Sequence, residues 1–357
     1  MSPAWISRAF ACIGLAAFMV SAAAEEPWKV KGRLVGESKG LLEFKKSKDV
    51  SGIACDSSTR RPRLCLVVDD ETQGAQIVLL QDNELRAGGF IPLTVAQFAG
   101  EPLELDAEGV AFDAGQFYVV GSHGRPRHDD DPETDAKKKP KNDARAAASR
   151  QIFRIALPAS AVDMKSGEVV GKADITPSSA LAAILKDQPD LKPFYDAPLD
   201  KNGVTIEGIA VRDRRLFIGM RGPVLGADAI VLSVAEPAVF DGQASEPTLH
   251  RLALGQDTSG QPRGVRDLVR YRDGFLVLAG PVNDPPKKTP IRAGDYALYA
   301  WDGRRPPERR LDLDVYGKKF KPEALLPLDG DARRVRVLLM FDGPEKGSPT
   351  PIAVDLN

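Results

Sequence analysis

The chain has 357 residues, with 49 Lys and Arg against 50 Asp and Glu, a formal net charge of −1, 43% hydrophobic residues, 32 Gly and 28 Pro. Charges of both signs are mixed along most of it, which leaves no basic stripe for nucleic acid and no polybasic segment for an anionic membrane surface. Abundant, well-spaced Gly and Pro with almost no long helical periodicity exclude a helical bundle and point to a turn-rich all-β chain.

The chain opens on Arg8, an apolar run from Ala9 to Val20, and the small residues Ser21, Ala22, Ala23 and Ala24. This is the pattern of a cleaved signal peptide, residues 1–24, and it predicts a periplasmic or secreted protein. The run is too short for a comfortable permanent span, so no membrane attachment is expected after cleavage. Cys12 leaves with the signal, and Cys55 and Cys65 remain as an even pair flanking a turn-like segment. In an oxidising compartment they are expected to form a disulfide across a hairpin. A metal or redox pair fits less well, since C-x-x-C spacing is absent and His is scarce.

Beyond residue 50 the chain repeats itself. Each unit has a short apolar strand opening on a polar residue, a turn, and a second apolar strand closing on Gly, Ser, Asp or Pro. Units begin at Ser51, Glu108, Glu207, Asp267 and Glu323, about 57 residues apart except for one gap of 99. Third strands follow at residues 76–80, 151–157, 229–234, 296–301 and 350–356. Such units match blades of a β-propeller, read here as one domain over 25–357 with five blades, or six if the long gap hides another. The segment from Trp28 to Val35 precedes the first unit, and the last unit has only three strands. The N-terminal strand is therefore expected to complete the last blade and close the ring. Two insertions account for the gap: a charged stretch at 126–149, expected to be disordered, and a short helix at 178–187, capped by Ser178 or Ser179. Asp129 to Asp131 lack the Gly and late Glu of a calcium loop and read as solvated charge.

The copies S-G-I-A at Ser51, A-E-G-V-A-F-D around Glu108 and I-E-G-I-A-V around Glu207, with F-I-G-M-R-G-P ending at Pro223 and P-E-A-L-L-P-L starting at Pro322, resemble a secreted family known as domain of unknown function 3616. That resemblance implies a propeller-like fold and brings no activity. A looser similarity runs to calcium-dependent lactonase and esterase-like phytase propellers, which implies that Glu108, Glu207 and Glu323 could be metal ligands.

Antiparallel pairing places the start of each first strand and the end of each second strand at one mouth of the channel. Glu108, Glu207, Asp267 and Glu323 should therefore meet Asp69, Asp70, Glu71, Ser122, His123, Arg221, Asn283 and Asp342. So many carboxylates need a cation, arginines or raised pKa values. Calcium is the expected cation. Zinc is disfavoured because the chain has only His123, His128 and His250. In this reading Glu108, Glu207 and Glu323 hold the ion, Arg221 clamps an anion unless it merely neutralises the blade-opening acids, and His123 moves a proton. The alternative for each opening acid is a bond to backbone N–H groups of the neighbouring blade. The expected function is binding, and hydrolysis where a reaction occurs, of a small anionic ester, lactone or phosphoester. A non-catalytic propeller holding a partner protein or glycan is the other reading.

Overall fold

The computed structural model describes residues 25–40, 43–126, 132–284 and 289–357. The expected signal peptide and Asp129 to Asp131 lie outside the described residues.

Five sheets stand in a ring, each a blade made of consecutive antiparallel strands. From the axis outward, the first blade holds Val50–Cys55, Arg63–Asp69, Gly74–Gln81 and Glu84–Pro92. The second holds Ala107–Asp113, Gln116–Gly121, Ile152–Ala156 and Asp174–Ser178. Thr205–Arg212, Arg215–Leu225, Asp228–Ala235 and Thr248–Leu252 make the third, and Arg263–Tyr271, Gly274–Pro281, Ala297–Trp301 and Glu308–Asp312 the fourth. The fifth has three strands, Lys321–Gly330, Arg334–Asp342 and Thr350–Asp355. The protein is an all-β, five-bladed β-propeller, and the repeat units map onto its blades one to one.

Alternating side chains explain why the ring holds. Residues of one strand point to opposite faces, so each blade presents an apolar face to each neighbour. Val211 packs toward the second blade while Ala210 packs toward the fourth. Five buried clusters result, one at each blade–blade interface.

Ring closure differs from the sequence expectation. The N-terminal strand Lys29–Lys31 pairs in parallel with Glu84–Pro92, at the outer edge of the first blade. The residues just ahead of it bond to the last blade, through Glu25 N to Pro351 O (3.3 Å) and Trp28 N to Pro349 O (2.7 Å). The free edge of Thr350–Asp355 carries Pro351, which has no N–H to extend a ladder, so that one position can accept but not donate. Trp28 and Leu34 are buried in the cluster between the first and last blades, and Gly343 N donates to Lys48 O across that seam (2.7 Å).

Cys55 and Cys65 face each other directly in the first hairpin and form the expected disulfide. Closing a loop of this length constrains the unfolded chain by about 2–3 kcal/mol. We expect reduction, or Cys55→Ser with Cys65→Ser, to lower unfolding free energy by that amount in urea titrations; no change in midpoint would refute it.

The charged insertion also differs from expectation. Residues Pro132–Ser149 form a helix, α1, rather than a disordered loop. Its second half is alanine-rich, Lys139 and Asp143 pair at i,i+4 (3.2 Å), and Arg145 pairs with Glu104 (2.8 Å). Ala146 and Ala148 are buried, so tertiary contact completes what propensity begins. The second insertion is helical, as expected: α2 spans Ala180–Asp187, and Ser178 Oγ accepts from Ala180 N (3.1 Å). Among the described residues no helix is long and apolar enough to cross a membrane.

Candidate functional site

Every inner strand carries a one-residue β-bulge near its start. In the second blade Ala107 opposes Gly121 and Gly109 opposes Val120, leaving Glu108 unpaired. The same break leaves Ser51, Glu207, Arg266 and Glu323 unpaired in the first, third, fourth and fifth blades. A bulge re-aims a side chain and ends regular pairing. Here it gathers one residue per blade at one mouth. The following glycines let adjacent inner strands approach: a Cβ on Gly208 would lie 2.6 Å from Leu268 N, and one on Gly109 3.1 Å from Ile209 Cγ2.

The fourth blade corrects the sequence alignment. Its bulged residue is Arg266, not Asp267. Asp267 lies one step further, buried, accepting from Leu268 N (2.7 Å) and from Leu325 N of the fifth blade (2.6 Å). It therefore does what the stacking alternative described, joining neighbouring blades through backbone N–H groups.

Arg266 decides the fate of two predicted metal ligands. Its Nε lies 2.9 Å from Glu207 Oε2, and its Nη2 donates to Glu323 Oε1. Glu207 is held from the other side by Arg221 Nη1 (2.9 Å). Arg221 also donates from Nε to Val282 O and from Nη2 to Asp284 Oδ1 (2.8 Å). Burial opposes the charge on both arginines, yet the surrounding carboxylates overcome it and raise both above the ordinary value. Glu207 and Glu323 are thus neutralised by arginine, and Arg221 neutralises rather than clamps: each of its three donor nitrogens is engaged within the protein.

Glu108 stands apart from this arrangement. One oxygen from each of Asp70, Asp106 and Glu108 lies within 4.8 Å of the others. Asp70 follows the second strand of the first blade. Asp106 precedes the inner strand of the second with φ of 55°, held by Ser122 Oγ on its carboxylate and Ser122 N on its carbonyl (2.8 Å). Among the described residues none of the three has an ion-pair partner, and Asp70 Oδ1 is buried without a hydrogen bond. Burial pushes all three carboxyls up, and repulsion from neighbouring carboxylates adds to it, Glu108 acting on Asp70, Glu104 on Asp106 and Glu207 on Glu108. Three carboxylate oxygen donors, on residues that include the orphaned Asp70, fit a hard cation such as calcium.

These groups line a cavity of about 520 Å³ at the channel mouth, with nine carboxylates and four cationic side chains in its wall. Asp49, Asp284 and Asp342 join the acids, and Arg125, Arg145 and Lys321 join Arg221. Helix α1 forms one side through Arg145, Ala146 and Ser149. At the opposite mouth, apolar inner-strand residues including Ile53, Val110 and Ile209 line a small hollow. An Arg270–Asp113 ion pair (2.8 Å) there links the fourth blade to the second.

Of the other predicted residues, Asp70, Ser122 and Asp342 line the cavity, whereas Asn283 lines a neighbouring one. Asp69 is buried behind Asp49, and burial pushes it up to about 8. His123 is fully buried and absent from the cavity wall; its Nδ1 lies 2.9 Å from Gly121 O, and burial lowers its pKa to about 4. It does not sit where a proton carrier for this cavity would. Sequence reasoning missed Asp106, although the D-A-E spacing ahead of the bulge was a usable signal.

Solved structures similar to this one include an exo-β-1,3-galactanase from Clostridium thermocellum, at 9% identity and a TM-score of 0.45, covering 91% of this chain and 62% of that one. This chain therefore spans less than two thirds of that enzyme's length. A GH43 β-1,3-galactosidase solved with galactodeoxynojirimycin has 9% identity and a TM-score of 0.44, covering 90% and 93%. A Trypanosoma rangeli sialidase mutant has 11% identity and a TM-score of 0.37, covering 94% and 59%. No curated protein matches the chain by sequence. The model of one family, described as protein of unknown function (DUF3616), matches residues 49–350, and the chain belongs to that family.

Proposed function

We propose that the channel mouth binds a hard divalent cation, calcium before magnesium, through Asp70, Asp106 and Glu108, and that the cation in turn holds a small anionic ligand. The observation that carries this is the contrast within one cavity: Glu207 and Glu323 have arginine partners, while among the described residues Asp70, Asp106 and Glu108 have no ion-pair partner and Asp70 Oδ1 is buried without a hydrogen bond. Leaving such a group without a partner is costly, and a cation is the simplest compensation. An ion there would supply positive charge to an ester, lactone or phosphoester oxygen. Within the chain, Ser122 orients Asp106, and the paired arginines keep Glu207 and Glu323 from competing for the ion. With Arg221 engaged and His123 outside the cavity, cation-dependent binding is better supported than turnover, which also keeps a non-catalytic role in view. The N-terminal pattern supports an exported protein, where calcium is plentiful.

Calorimetry of CaCl2 into chelator-treated protein tests the proposal. We expect binding heat in the wild type, lost in Asp70→Asn and Glu108→Gln. No heat in the wild type, or undiminished heat in both variants, would sink it.

A further inference from the structure

Beside the channel mouth lies a second cavity, of about 610 Å³, and its wall is of a different kind. Val224, Pro262, Val282, Ile291 and Tyr296 give it apolar surface, where the first cavity is charged nearly all round. The two adjoin along one seam. Leu199 lines the first and the next three residues of the same turn line the second, while Asp284 lines both.

The loops around this second cavity are fixed by side chains rather than by strand ladders. Arg263, 2% exposed, donates from Nη1 to Leu254 O (3.0 Å), from Nε to Asp295 O (3.0 Å) and from Nη2 to Gly294 O. Asn202, in the left-handed region at φ 62°, donates to Val224 O (3.0 Å) and accepts from Val224 N (2.9 Å). Asp295 Oδ1 accepts from Thr258 N (3.2 Å) and Thr258 Oγ1 (2.6 Å). A concave, partly apolar wall held in place by the buried Arg263 and by side-chain bonds across its loops is the form of a ready-made small-molecule site.

We propose that the second cavity binds the uncharged, ring-bearing body of the anionic ligand whose charged end is held at the neighbouring cation site; this rests on the cation reading above. An apolar group in the first cavity would strip water from carboxylates without replacing it, whereas the second offers apolar surface for it. Asp284 belongs to both walls, so the two cavities adjoin where such a ligand would lie. The ligand class is therefore an oxyanion, phosphate or carboxylate, attached to a ring, and not a bare inorganic ion.

The test is calorimetry on the whole protein with saturating calcium, using phenyl phosphate against inorganic phosphate and phenylacetate against acetate. In at least one pair the ring-bearing compound should bind about tenfold or more tightly, the scale of taking a phenyl ring out of water. The better pair identifies the oxyanion. Val224→Trp should erase that margin and leave the calcium heat intact, with Gln261→Trp, from a different loop of the same wall, as a second variant should the first fail to fold. Equal affinities within both pairs, no binding of either pair, or a margin that survives both tryptophans, in protein that still takes up calcium, overturns the proposal. A ring preference removed by Val224→Trp in protein that shows no calcium heat overturns the cation reading and leaves the cavity assignment standing.

Discussion

Replacing Arg266 with methionine is expected to lower unfolding free energy by about 3–5 kcal/mol at pH 8, the scale of breaking a buried ion pair from one side. Arg266 is 1% exposed and lies between Glu207 and Glu323, themselves 3% and 7% exposed, so its loss strips Glu323 of its arginine and leaves Glu207 with Arg221 alone. Methionine keeps much of the bulk, so electrostatics dominates the change. The penalty should shrink as pH falls, because the stranded Glu323 carboxylate, which burial already pushes up to about 8, can protonate. Adding Glu207→Gln and Glu323→Gln should recover part of it at pH 8. Urea titrations of the three proteins at pH 8 and pH 5.5 decide the matter. An Arg266→Met protein within about 1 kcal/mol of wild type at pH 8 would show that the three charges do not act as one unit.

The second large effect is the dependence of stability on pH and calcium. Burial pushes Asp49 to about 7 and Asp69 to about 8, and Asp70 and Glu108 lie well above the ordinary carboxylate range. In an unfolded chain such groups titrate near 4. Between those limits the folded state binds more protons than the unfolded one, so unfolding free energy falls as pH rises. The stability is present at low pH and lost as pH climbs through the folded values. His123, lowered to about 4, acts in the opposite sense only below about 6.5, where its unfolded form charges. The clean window is therefore pH 6.5 to 8.5. There, chelator-treated protein should lose several kcal/mol as an order of magnitude, and a calcium concentration a hundredfold above Kd should restore about 2.7 kcal/mol at the alkaline end. The restoration should fade toward pH 5, since the ligands must be ionised to bind. Thermal melts with calcium or chelator across this range check it. A midpoint that rises with pH in chelator, or an equal calcium response in Asp70→Asn, would refute the account.

Much of this architecture was legible in the chain. The five units, the hairpin disulfide and the third strands follow from apolar alternation and turn residues, which are local properties. The same repeat placed Glu108, Glu207, Asp70 and Arg221 at one mouth, because strand direction follows from counting strands. Less legible was how each charge would be compensated. Asp267 and Arg266 are adjacent, and only the ladder register shows that the bulge falls on the arginine. Likewise, nothing near Arg221 in sequence indicates that Val282 and Asp284, some sixty positions on, would take its remaining donors.

Alone, then, the sequence determined a turn-rich all-β ring of five repeats with an acidic residue opening most of them, since periodicity and turn chemistry act over a few residues. Tertiary structure decided which acids have arginine partners and which remain as a candidate cation site. It also placed His123 outside the cavity, and it carried the N-terminal strand to the outer edge of the first blade. Those outcomes turn on distances between residues far apart in the chain and on how deeply each charge is removed from water, and neither quantity is written in local pattern.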